Sequence, residues 1–68
     1  MEELIWGRRI RAFRKLKGYT QEEFAKLICV SVSVLGEIER GTRKPEDDIL
    51  LSVVTTLGVT YEELTSIN

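Results

Sequence analysis

Thr20-Gln21-Glu22-Glu23-Phe24-Ala25, followed by Val30-Ser31, Leu35, Ile38-Glu39-Arg40-Gly41 and Pro45, is the stretch that decides the fold. Thr20 has the side chain of an N-cap, and Glu23 three residues later completes a capping box. A short helix follows to about Leu27 or Ile28, with Phe24 and Leu27 inward. Ser31 is the next N-cap, and a second short helix runs to about Arg40, with Leu35 and Ile38 three apart on its inner side. Gly41 ends that helix. Ala25 is small where the two helices must cross closely. The unit is therefore two short helices joined by a tight turn.

Outward from this unit the pattern stays helical. From Glu3 to about Lys17, Ile5 or Trp6, Ile10, Phe13 and Leu16 recur at helical spacing, and Gly18 stops the segment. Cations crowd its last turn, as the helix dipole favours. After Gly41, Thr42 to Lys44 form a basic loop. Pro45 opens a fourth helix whose first turn carries Glu46, Asp47 and Asp48, with Ile49 or Leu50, Val53, Val54 and Leu57 as core. Gly58 terminates it. Thr60 with Glu63 repeats the capping box, and a short fifth helix runs over Tyr61 and Leu64 toward Ile67. The sequence offers no strand pair, linker, repeat or low-complexity tract. The expected fold is all-α, one compact five-helix domain over residues 1–68 with its core at about 5–64.

The 68 residues stand near the lower limit for a self-sufficient core, and the single cysteine gives the fold no internal disulfide. With no secretory leader and no long apolar run, the expected location is the cytoplasm, away from any membrane. No histidine accompanies that one cysteine, so no metal site and no cofactor are expected. An enzyme is not expected either. The chain offers no nucleophile with a base, no paired acids in a credible cleft and no phosphate-binding glycine loop.

Net charge is −1, which is not the basic balance of many nucleic-acid binders. Its distribution matters more. Residues 1–17 hold six cations (Arg8, Arg9, Arg11, Arg14, Lys15, Lys17) against Glu2 and Glu3. Residues 18–45 balance four against four. Residues 46–68 hold five acids (Glu46, Asp47, Asp48, Glu62, Glu63) and no cation. A domain polarised in this way can offer one face to phosphate and the opposite face elsewhere.

The Thr20–Pro45 pattern, with its flanks from about Ile5 to Leu64, resembles the Xre or Cro/C1-type helix-turn-helix family of prokaryotic and phage regulators. The resemblance implies a lambda-repressor-like DNA-binding domain whose second motif helix enters the major groove of double-stranded DNA. It implies that Arg14 on the first helix reaches Glu39 at the end of the third as a structural ion pair. Base reading would fall to Val32, Ser33, Gly36 and Glu37. Val32 suits a thymine methyl, Ser33 either a donor or an acceptor, and Glu37 cytosine N4. This face carries no Gln, Asn or Arg for the common bidentate contacts, so modest specificity per domain is expected. Gln21, Arg43 and Lys44 would touch phosphate.

Two positions depart from the family pattern. Cys29 stands in the turn where the family usually has glycine, and a left-handed backbone there costs a non-glycine residue about 1–2 kcal/mol. Gly36 lies within the reading helix, where an exposed glycine costs about 1 kcal/mol relative to alanine. The expected function is a sequence-specific transcriptional regulator, a repressor that covers a near-palindromic operator as a homodimer. The fifth helix, on its Tyr61, Leu64, Ile67 side, is the expected dimer surface. A rival from another class is a protein-interaction module, an antirepressor or antitoxin. The acidic C-terminal third would then meet a protein partner.

Overall fold

The computed structural model describes residues 2–65, with side chains from Trp6 onward. Five helices follow one another: α1 (Glu2–Leu16), α2 (Gln21–Leu27), α3 (Val32–Arg40), α4 (Asp47–Leu57) and α5 (Tyr61–Thr65). The described residues contain no strand.

Local chemistry sets most helix ends. At α2, the Thr20 hydroxyl accepts from the Glu23 N–H at 3.1 Å, and the Glu23 carboxylate accepts from the Thr20 N–H at 2.9 Å. The reciprocal pair satisfies two N–H groups that the helix start leaves without partners. Thr60 and Glu63 repeat it ahead of α5, at 3.0 and 2.8 Å. Ser31 caps α3 by accepting from the Val34 N–H at 3.1 Å. Gly41 ends α3 with φ at 83°, a left-handed conformation open to glycine at little cost. α4 begins later than the proline suggested. Pro45 is buried and lies outside the helix, Glu46 is an extended cap position without a side-chain cap bond, and the first turn starts at Asp47.

The core gathers Ile10 from α1, Phe24, Ala25 and Ile28 around α2, Leu35 and Ile38 from α3, Leu50, Val53 and Leu57 from α4, and Leu64 from α5. α1 packs against α3, α4 and α5, and α2 against α3. Two expected core positions point outward instead. Leu16 is 76% exposed, because the inward line of α1 runs through Ile10 to the buried Arg14. Leu27 is 52% exposed, because α2 turns Phe24, Ala25 and then Ile28 to the core.

The expected dimer surface is corrected by the same packing. Leu64 is fully buried, since α5 uses it to seal against α1, and it cannot meet a second subunit. Tyr61 keeps half its surface exposed and sets its ring against Trp6, with centroids 6.2 Å apart and planes at 70°. Ile67 lies outside the described residues.

Gly7 fixes the crossing of α1 and α3. A Cβ at this position would collide with the backbone oxygen of Ile38 and lie 2.8 Å from that of Glu39. The two backbones touch there, which no other residue type permits without movement.

Candidate nucleic-acid interface

The turn between α2 and α3 sets the angle at which α3 is offered outward. Ile28 closes α2, Cys29 takes φ of 64°, and the Val30 N–H donates back to the Ala25 oxygen at 3.0 Å. That is the left-handed helix stop for which glycine is the usual residue. Here an exposed cysteine occupies it.

α3 is then anchored from behind. Leu35 and Ile38 are buried in the core. Arg14 and Glu39 meet in a forked ion pair: Arg14 Nε donates to Glu39 Oε2 at 2.7 Å and Arg14 Nη2 to Oε1 at 3.2 Å. Arg14 Nη1 donates to the Tyr19 oxygen at 2.8 Å, and Gln21 Nε2 to Glu39 Oε1 at 3.0 Å. Among the described residues no buried side-chain nitrogen or oxygen lacks a partner. Removing one charge from so enclosed a pair costs about 3–5 kcal/mol, because the other is stranded out of water. Gln21 at the start of α2 is therefore tied to the same network that fixes α3.

The outward side of α3 carries Val32, 43% exposed, and the exposed Ser33 in its first turn. Glu37, one turn further on, accepts from Arg43 Nε at 2.6 Å, and both side chains remain substantially in solvent. An exposed pair of this kind contributes about 0–1 kcal/mol. Its effect is on charge: each partner screens the other, so neither presents a bare ion. Lys44 is exposed beside them with no ion pair among the described residues.

Gly36 departs from the sequence expectation of an exposed helical glycine. It is buried, and what covers it is Arg40: a Cβ at position 36 would stand 3.0 Å from Arg40 Nη1. Side chains on a helix lean toward its N-terminus, so a residue lies over the one four before it. The missing side chain lets the guanidinium lie back along α3, toward the face held to lack an arginine. Arg40 is not among the contact residues that the family resemblance implied. The signal was an arginine four residues after a glycine within one helix.

Among the described residues no three His, Cys, Asp or Glu side chains gather for a metal ion, and no helix is long and apolar enough to cross a membrane. A capped, core-anchored α3 set across α2 by a tight turn is the architecture of a helix-turn-helix protein. Residues 10–64 match the helix-turn-helix family. The chain belongs to that family, of the Xre or Cro/C1 type.

It is 61% identical over 64 residues to YazB, an uncharacterized HTH-type transcriptional regulator of Bacillus subtilis strain 168, covering 94% of this chain and 93% of that protein. Among solved structures it resembles the restriction-modification controller protein C.AhdI of Aeromonas hydrophila at 34% identity and a TM-score of 0.85, over 91% of this chain and 94% of that one. It also resembles the P22 c2 repressor in complex with a synthetic operator, at 28% identity and a TM-score of 0.86, over 94% and 97% of the two chains.

Proposed function

We propose that this chain is a sequence-specific repressor of transcription that acts in the cytoplasm as a dimer on a near-palindromic operator. The observation that carries the reading is the rigid presentation of α3. Its inner side is locked by Leu35, Ile38 and the Arg14–Glu39 pair, while Val32 and Ser33 stand free at its outward start. A reading helix fixed in this way spends no ordering entropy when it enters the groove. The likeness to a repressor solved on its operator supports the same mode.

Val32 would pack on a thymine methyl, Ser33 would bond a base edge, and Glu37 would accept from cytosine N4 once Arg43 turns to phosphate. At position 36 the DNA would meet the Arg40 guanidinium, for which Gly36 makes room. Gln21, Arg43 and Lys44 would hold the backbone. Two reading helices about one DNA turn apart, roughly 34 Å, would cover a palindrome and occlude polymerase. With Leu64 buried, the dimer contact falls to Leu51, Val54 and Tyr61, which line a shallow apolar recess between α4 and α5.

The test is selection from a random-duplex library, with the winners refitted at two salt concentrations. A near-palindrome whose affinity falls steeply with salt is the expected result, because phosphate contacts release counterions. Only weak binding, near the about 10⁻⁴–10⁻⁶ M of non-specific contact, together with salt-insensitive capture of a protein, would replace the repressor with an interaction module.

A further inference from the structure

The backbone contact at Gly7 brings one face of α1 against the C-terminal end of α3. Arg8 and Arg11, three residues apart on that face, are both exposed. Together with Arg40 and the Thr20–Gln21 start of α2 they line a cleft of about 960 Å³. Arg14 and Glu39 also line it, and they neutralise each other. Arg8, Arg11 and Arg40 have no ion pair or hydrogen bond among the described residues.

The other polar groups of the cleft are already engaged. Gln21 Nε2 donates to Glu39, the Thr20 hydroxyl caps α2, and the Thr42 hydroxyl donates to the Glu37 oxygen. What remains is a recess walled by guanidinium donors in a chain of net charge −1. The negative end of the α3 dipole accounts for a cation in its last turn, and Arg40 already stands there. It does not account for two more guanidinium groups brought in from another helix.

Planar N–H forks with nothing to accept their hydrogens suit the oxygens of a phosphate group. We propose that this cleft seats backbone phosphates of DNA beside the half-site met by α3, with Arg8 and Arg11 as donors. The proposal rests on the DNA reading above and extends the phosphate contacts from α2 and the α3–α4 loop onto α1. A nucleic-acid backbone is the source because the cleft continues into the start of α2, where Gln21 already faces the same duplex in that reading.

Duplex binding is measured across a salt series for the wild type, the Arg8→Gln/Arg11→Gln double variant and the Arg8→Lys/Arg11→Lys double variant, each checked by circular dichroism. With Gln at both positions the slope of log K against log salt should fall in magnitude by about 0.9 for each phosphate lost, roughly 0.9–1.8 in all. Base preference should not change, since phosphate carries no sequence. Lysine should retain most of the slope. Each single Arg→Gln variant should take about half the loss, so the measurement survives if the double variant fails to fold. An unchanged slope overturns the proposal. So does a tight response of the Arg8 and Arg11 Nε–H signals to inorganic pyrophosphate with duplex binding unaltered, which would assign the cleft to a small phosphorylated ligand. Failure of the operator reading is distinguishable, because the slope difference can be read on a random duplex even if no sequence is selected.

Discussion

Cys29 holds φ of 64° in a turn whose geometry suits glycine. The backbone cost of about 1–2 kcal/mol for a side chain there exceeds the about 0.4–1 kcal/mol by which a glycine loosens the unfolded chain. Cys29→Gly should therefore stabilise the domain by up to about 1 kcal/mol. In a domain of this size that raises the melting temperature by roughly 4–8 °C per kcal/mol. A thermal melt followed by circular dichroism checks it, and a lower midpoint would mean that the exposed thiol makes a compensating contact. At position 36, by contrast, a Cβ would stand 3.0 Å from Arg40 Nη1, so a side chain there would move the guanidinium tip by a few tenths of an ångström.

At the scale of elements, α1 and α3 behave as one unit. Gly7 joins them backbone to backbone, and the Arg14–Glu39 fork joins them side chain to side chain. Gly7→Ala gains about 1 kcal/mol of helix propensity in α1. The added methyl meets a carbonyl oxygen that cannot swing aside, so α1 must lift, at about 1–3 kcal/mol for overpacking. The net effect should be destabilising, read as a lower urea midpoint with little change in slope. Unchanged stability would show that the helices can separate by the width of a methyl group without loss.

The whole molecule is polarised in charge and in apolar surface. Arg8, Arg11 and Arg14 of α1 line the cleft at the C-terminal end of α3. Arg9 turns to α5 beside Glu62 and Glu63, and Asp47 of α4 lines the recess that holds the exposed Leu51 and Tyr61. If Leu51 is buried between two copies, placing a charge there forfeits about 1.5–3 kcal/mol of burial per side chain. Leu51→Glu should then weaken dimerisation by at least about tenfold, a loss of about 1.4 kcal/mol, and weaken operator binding with it. The melting curve of the monomer should be unchanged. Sedimentation across a concentration series checks the association. An identical monomer–dimer balance in both proteins would move the interface away from α4 and α5.

The sequence by itself determined the five helices, the caps at Thr20, Ser31 and Thr60, and the stop at Gly41. Each of these depends on hydrogen bonds or backbone angles spanning only a few residues. The left-handed turn at Cys29 was legible only through the resemblance to a family that usually has glycine there, because a cysteine carries no local signal for φ of 64°. Only the tertiary structure decided which side of each helix faces inward. Periodicity made Leu16 as good a core residue as Phe13, and packing turned α1 so that Arg14 was buried and Leu16 left in water. The same holds for Leu64, whose apolar character suits a dimer surface and a core alike until α1 closes over it. The meeting of Arg8 and Arg11 with Arg40 lay further out of reach. It depends on one glycine allowing two backbones 31 residues apart in sequence to touch, and no local rule specifies such a contact.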